Sequence, residues 1–252
     1  MENFLNPDFL VFFGVGFLAQ VIDGALGMAY GVSANSFLLG FGVSPALASA
    51  SVHTAEVFTT AASGISHWRM GNVDKTIIKR LAIFGVIGGI LGAYVLSNID
   101  GQAIKPWIAL YLLVMGVRIL IKAFRPANGI SKALRQRLPI LGLFGGFMDA
   151  IGGGGWGPVV TTTMLANGEP PRKTIGSVNL TEFFVTFAEA ITFLLTLGTL
   201  DWPVVLGLLV GGGLAAPLGA YLTKKIPTRS MLVIVGLVVV FLQLRTLYQE
   251  WL

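Results

Sequence analysis

From Phe9 to Leu247 the chain is a succession of apolar runs of about 18 residues or more, separated by short polar connections. Runs of that length find their natural solvent in a bilayer, and their recurrence reads as an all-α polytopic membrane protein. The composition agrees: 54% of the 252 residues are hydrophobic and 12% are charged, about half the ordinary charged share. Too little polar sequence remains to build a soluble domain. No cysteine is present, so disulfides, thiol catalysis and zinc–thiolate sites are excluded. The net charge of +5 is carried largely in short loops between apolar helices, where basic residues orient a protein in its membrane. Nucleic acid is therefore not an expected partner. Met1 to Asp8 carries Glu2 and Asp8 and no Lys or Arg, so it lacks the basic region of a cleaved signal peptide, and the first apolar stretch is expected in the mature protein.

The chain is one unit written twice. A shift of 126 residues, half of the 252, superimposes Asp23 on Asp149, Gly27 on Gly153, Gly31 on Gly157 and Pro45 on Pro171. The same register places Ser51-Val52 on Ser177-Val178, Glu56 on Glu182, Phe58 on Phe184 and Thr60 on Thr186. One further residue of offset aligns Gly92-Ala93-Tyr94 with Gly219-Ala220-Tyr221, and Arg118 with Arg245. Paired intramembrane acids at one register are hard to obtain by chance, so residues 1–126 and 127–252 are homologous halves.

Each half has three clear spans, at 48–66, 77–96 and 106–123 and at 174–197, 203–222 and 230–248. Ahead of them lie Phe9 to Gly40 and Leu138 to Leu165. A stretch of about 30 residues reaches roughly 45 Å as helix, short of the ~60 Å of two crossings. Each is expected to be a re-entrant hairpin with a glycine-rich tip, since unwound backbone survives at membrane depth only inside protein or beside water; the alternative is one ordinary span followed by a loop. Loop charge decides the orientation. Fourteen of the 17 basic residues lie in four places: Arg69 to Arg80, Lys122 to Arg137, Arg172-Lys173 and Lys224 to Arg229. With these four in the cytoplasm and the acidic N-terminus outside, each hairpin returns to its starting side, both termini are outside, and equivalent loops of the halves face opposite ways. That is an inverted-topology repeat, an architecture of secondary transporters. Trp107, Trp202, Trp251 and Trp68 fit the interfacial belts, whereas Trp156 lies inside a glycine turn.

Polar residues inside such spans carry the chemistry. Asp23 and Asp149 open the two glycine turns, as functional acids, as caps of the half-helix that follows, or as both. Gly152, Gly153, Gly154 and Gly155 favour an unwound backbone whose N–H groups converge on an anion. On that reading a valine at 154 costs affinity before it costs folding. Ser49, His53, Glu56, Thr60 and Ser63 share one helix face, and Asn179, Glu182, Thr186 and Glu189 repeat it. Glu56 and Glu182 approach the midplane from opposite ends. His53, whose counterpart is Asn179, either packs or shuttles a proton. Two histidines are too few for an imidazole-rich metal site, and neither HExxH, GxSxG nor a Walker lysine motif is present. No cofactor and no metal are expected, and the chain is not read as an enzyme.

The turn DAIGGGGWGP with the following GSVNLTEFF, mirrored by DGALGMAYG and ASVHTAEVF, resembles the sulfite exporter TauE/SafE family of bacterial inner-membrane permeases along essentially the whole chain. The resemblance implies export of small sulfur oxyanions or organosulfonates, such as sulfite, thiosulfate or sulfoacetate, driven by an ion gradient. The expected substrate site comprises Gly27, Tyr30, Gly31, Ser51, His53, Gly152 to Gly155, Trp156, Ser177 and Asn179. Asp23, Glu56, Asp149 and Glu182 are the expected ion-coupling acids, with proton and sodium both open as the coupling ion. An ionised acid repels an anion, so some of these groups are protonated, paired or turned away when substrate binds. Membrane lipid is the other partner, and a homo-oligomer is compatible with the sequence. The rival reading is a non-transporting membrane scaffold whose polar stripes are buried glue.

Overall fold

The computed structural model describes residues 7–26, 28–124, 132–167, 169–222 and 228–251, and every regular element among them is helical. The first half forms α1 (Pro7–Leu26), α2 (Tyr30–Gly40), α3 (Pro45–Arg69), α4 (Lys75–Asn98) and α5 (Gly101–Phe124). In the second half α6 (Lys132–Gly152) is followed by a π-helical turn (Gly157–Thr161) that runs into α7 (Thr162–Ala166). Then come α8 (Pro171–Leu197), α9 (Trp202–Leu222) and α10 (Thr228–Trp251). Local chemistry explains several boundaries. Pro45 opens α3, where a missing N–H costs nothing. Asp74 caps α4 by accepting from the N–H groups of Thr76 and Ile77, and Gly198 closes α8 in the left-handed conformation at φ 71.

Helices cover each of the six ranges read as spans. Among the described residues, four segments are long and apolar enough to cross a membrane: Lys75–Asn98, Ala103–Phe124, Lys173–Leu197 and Leu232–Glu250. α3 has 25 residues, ample length for a crossing, but its polar stripe lowers its hydropathy. The outward faces carry large apolar side chains such as Phe58, Trp107, Leu195 and Phe241, the surface a protein shows to lipid. Where hairpins were expected, each half has a long helix, a break and a short one. α1, with 20 residues, is about 30 Å long; α2, with 11, is about half that. The arms are thus unequal, because the break falls after Leu26 rather than midway.

The packing follows the duplication. α1 lies against α9 and α6 against α4; α3 packs on α8 and α5 on α10; α4 also touches α8, and α3 touches α9. Exchanging the halves maps this set onto itself: α1–α9 becomes α4–α6, α4–α8 becomes α3–α9, and α3–α8 and α5–α10 are unchanged. Glycines set the closest approaches: a Cβ on Gly146 or Gly88 would overlap backbone across the α4–α6 contact, and one on Gly211 would overlap Phe13 across α1–α9. Arg135 of α6 makes a bidentate pair with Glu169 at 2.7 and 2.9 Å. That pair anchors the start of α6 to the segment leading into α8.

Candidate functional site

The two breaks meet each other inside the bundle. A Cβ on Gly31 would come within 2.7 Å of the Gly154 Cα, and one on Gly157 within 2.8 Å of the Met28 Cβ. Gly157 and Gly154 are the repeat counterparts of Gly31 and Met28, so these are one contact seen from its two halves. Gly153 and Gly154 hold φ of 61 and 152, values that L side chains avoid. A Cβ on Gly154 would also overlap the Val32 backbone nitrogen.

The turn's N–H groups are occupied from within. Asp149 Oδ1 accepts from Gly155 N at 2.6 Å and Trp156 N at 2.9 Å, and the Asp149 carbonyl accepts from Gly154 N at 3.1 Å. Asp23 repeats the motif more loosely, accepting from Tyr30 N at 3.3 Å. Both acids therefore cap the helix after the break. The donors of the expected anion cradle are thus partly taken: Gly154 N–H is held by the Asp149 carbonyl, and the neighbouring Gly155 and Trp156 N–H groups by its carboxylate. The glycines also allow close backbone approach, and that packing role reverses the expected order of effects at position 154. Gly154→Val strains a backbone worth about 1–3 kcal/mol and collides with Val32, so the monodisperse fraction of purified protein falls first. The protein that does fold should keep its affinity for substrate. Undiminished folded yield with lost affinity would restore the cradle.

The stripe of α3 meets the end of α6. Ser49 Oγ donates to the Ala150 carbonyl at 2.5 Å, and His53 Nε2 lies 3.2 Å from the Asp149 carbonyl. Asn35 of α2 donates to the Gly152 carbonyl at 2.5 Å. Helix-end carbonyls that would otherwise be orphaned in the bilayer are thereby satisfied. On its other nitrogen, His53 Nδ1 faces Glu56 Oε2 at 3.1 Å and Glu189 Oε2 at 3.2 Å. His53, Asp149 and Glu189 bring donor atoms within 4.8 Å of one another. One ring nitrogen of this set faces a carbonyl and the other faces two carboxyl oxygens.

A cavity of about 310 Å³ opens beside the crossing of the breaks, room for a small anion with several waters. All four acids expected to couple ions, Asp23, Glu56, Asp149 and Glu182, line it. From Glu56 it runs along α3 past Thr60, Ser63 and His67, and along α8 past Glu182, Asn179 and Ile175. It thus leads toward the helix ends that carry Arg69 and Lys173. In the other direction its lining stops at Glu56, and Ser49, Val52 and His53 beyond it are fully buried.

Of the expected substrate residues, Tyr30, Gly31, Gly154, Gly155, Trp156 and Asn179 line the cavity. Ser51, His53, Gly152, Gly153 and Ser177 do not line it, and Gly27 lies outside the described residues. Ser177 instead accepts from Asp74 N at 2.7 Å, ahead of α4. Gly152 packs on Tyr111, and Trp156 donates its indole N–H to the Val178 carbonyl at 3.3 Å. Glu189 was seen as part of the stripe but not as a site residue. Its repeat counterpart is Ser63, so a search for acids paired between the halves passes over it. Gln20 and Asn35 were missed for the same reason, having Gly146 and Thr161 as counterparts.

The profile of the family described as sulfite exporter TauE/SafE matches residues 12–246. A probable membrane transporter protein of Bacillus subtilis (strain 168), YtnM, is 46% identical over 96% of this chain and 84% of its own length. Two further probable membrane transporter proteins of that organism also match. YunE is 20% identical over 96% of this chain and 98% of its own, and YdhB is 25% identical over 86% and 90%. No solved structure gives a significant match.

Proposed function

Because the chain belongs to the sulfite exporter TauE/SafE family and is a membrane transporter rather than an enzyme, we propose that it exports small sulfur-containing anions, such as sulfite, thiosulfate or organosulfonates, coupled to an ion gradient. The observation that carries this reading is the cavity of about 310 Å³ at the meeting of the two breaks, walled by Asp23, Glu56, Asp149 and Glu182. Four acids around one small cavity cannot all stay ionised beside an anion. A protonated carboxyl, by contrast, is a hydrogen-bond donor to an oxyanion. Loading the cavity with protons therefore creates the anion site, and releasing them ejects the anion. Glu56 and Glu182, one from each half, are the acids that gain and lose those protons. Asp149 is held as the cap of its turn.

The two halves are inverted in the bacterial inner membrane, with each broken helix pair acting as a re-entrant hairpin and both termini outside. The basic ends of α3, α4 and α8 then lie in the cytoplasm, and the cavity leads to the compartment from which an exporter collects its load. The direct test is sulfite flux into sealed liposomes holding the purified protein. Saturable counterflow above that of empty liposomes is the expected result, and its absence for sulfite, thiosulfate and organosulfonates alike defeats the reading. Topology is tested separately, by placing cysteines one at a time in this cysteine-free chain. An impermeant thiol reagent should label both termini from outside and leave the 122–137 linker untouched. Labelling of that linker in intact cells defeats the orientation.

A further inference from the structure

The contact between α3 and α8 occurs twice, once in ionisable form and once in neutral form. Asn179 Nδ2 donates to Ser63 Oγ at 3.1 Å, at the end where the cavity runs out along the two helices. Under exchange of the halves Asn179 becomes His53 and Ser63 becomes Glu189, and that pair lies 3.2 Å apart. The ionisable copy sits on the closed side of the cavity, where His53 and Glu189 are both fully buried. The Phe193 ring lies parallel to the imidazole, with centroids 6.4 Å apart.

The hydrogen bonds assign the protons. The Asp149 carbonyl is an acceptor only, so the His53 Nε2 beside it carries its hydrogen. His53 Nδ1 then faces two carboxyl oxygens, Glu56 Oε2 and Glu189 Oε2. Two ionised carboxylates and a bare nitrogen lone pair would repel one another there, so at least one proton is shared among the three. Asp149 of α6 faces this set directly, Asp23 of α1, Tyr30 of α2 and Glu182 of α8 act on it electrostatically, and α4 presents Gly89 to Glu189. Glu56 lines the cavity and Glu189 does not. Glu189 Oε1 is buried without a hydrogen-bond partner, and Oε2 lies 3.2 Å from His53 Nδ1.

We propose that Glu189, His53 and Glu56 form a proton relay that joins the cavity to its closed side, with Glu189 as the terminal proton site. His53 Nδ1 accepts the proton of Glu189, giving an imidazolium that keeps its Nε2–H on the Asp149 carbonyl. It then passes that proton to Glu56. The net step moves one proton from Glu189 to Glu56, leaving Glu189 ionised, Glu56 neutral and the imidazole unchanged. Glu189 is refilled when its side of the protein opens to water. The other copy of the contact is an amide and a hydroxyl, so the relay has no counterpart at the cavity end, where Glu56 meets the water of the cavity directly. The relay deepens the proposed coupling and rests on that reading for its role in transport.

Two variants test it in the full-length protein. Glu189→Gln keeps the shape of the side chain, and His53→Asn combined with Glu189→Ser copies the neutral contact that the other half already uses. In liposomes both should retain sulfite counterflow yet lose pH-gradient-driven accumulation, by about tenfold or more. Accumulation within about twofold of the unmodified protein in both variants overturns the relay, as does accumulation driven by a sodium gradient and indifferent to pH. Infrared pH-difference spectra of the detergent-purified protein decide the matter without any substrate. Glu189→Gln should remove one protonated-carboxyl band, and His53→Asn should move the pH dependence of the band that remains. Superimposable spectra overturn the relay. Absence of sulfite flux in the unmodified protein, with these spectral changes present, overturns the substrate reading and leaves the relay standing.

Discussion

Glu56→Gln and Glu182→Gln should each abolish pH-gradient-driven sulfite accumulation while leaving sulfite binding to the purified protein largely intact. The amide preserves the shape of the carboxyl and its capacity to hydrogen bond, but it holds no exchangeable acid proton at any working pH. Both side chains line the cavity, so a permanently neutral group there does not repel an anion and the binding step survives. What is lost is the release of the proton, which empties the site and resets the carrier. The expected loss of driven accumulation is about tenfold or more, the effect of a barrier raised by only ~1.4 kcal/mol. Glu56→Gln should show the larger effect, because it also removes the cavity end of the relay through His53. Counterflow, which exchanges one anion for another without net proton movement, should persist in both. If both variants accumulate sulfite with the pH profile of the unmodified protein, these acids are interhelical glue and the coupling belongs elsewhere.

How much of this was legible beforehand depended on whether a residue's role is local or lies with a distant partner. The acids were found because they stand at matching places in two halves, and a carboxyl inside an apolar run is expensive enough to signal itself. The stripe on α3 was legible because spacings of three and four put residues on one helix face. The purpose of Ser49 and His53 was not, since their partners are carbonyls at the end of α6, about a hundred residues away. Gly154 shows the limit most clearly. Four consecutive glycines read first as an anion loop, and the tight backbone crossing they also make shows only once the Val32 backbone is seen opposite Gly154. Glu189 was hidden by the same duplication that revealed Glu182, because its counterpart is a serine. Pairing between the halves finds what the halves share, and the one-sided chemistry lies in what they do not.

That distinction gives Asp149 and Asp23 different expected fates. Asp149 is 2% exposed and takes two backbone N–H groups on one oxygen, at 2.6 and 2.9 Å. Asp149→Ala leaves both donors without their acceptor, at about 1–3 kcal/mol each. The loss, about 2–6 kcal/mol in all, is comparable with the whole stability of a typical domain. Asp149→Ala should therefore give little monodisperse protein at growth temperature. Asp149→Asn keeps a carbonyl oxygen that can face the same two N–H groups, so its folded yield should recover most of the way. Among the described residues Asp23 accepts one backbone N–H, at 3.3 Å, so Asp23→Ala should cost far less, about 1 kcal/mol. Yields of monodisperse protein for the three variants, compared at two growth temperatures, order these effects. If Asp149→Ala folds as well as Asp149→Asn, the carboxyl is not the acceptor that holds the turn. The N–H groups of Gly155 and Trp156 would then be available to an anion after all.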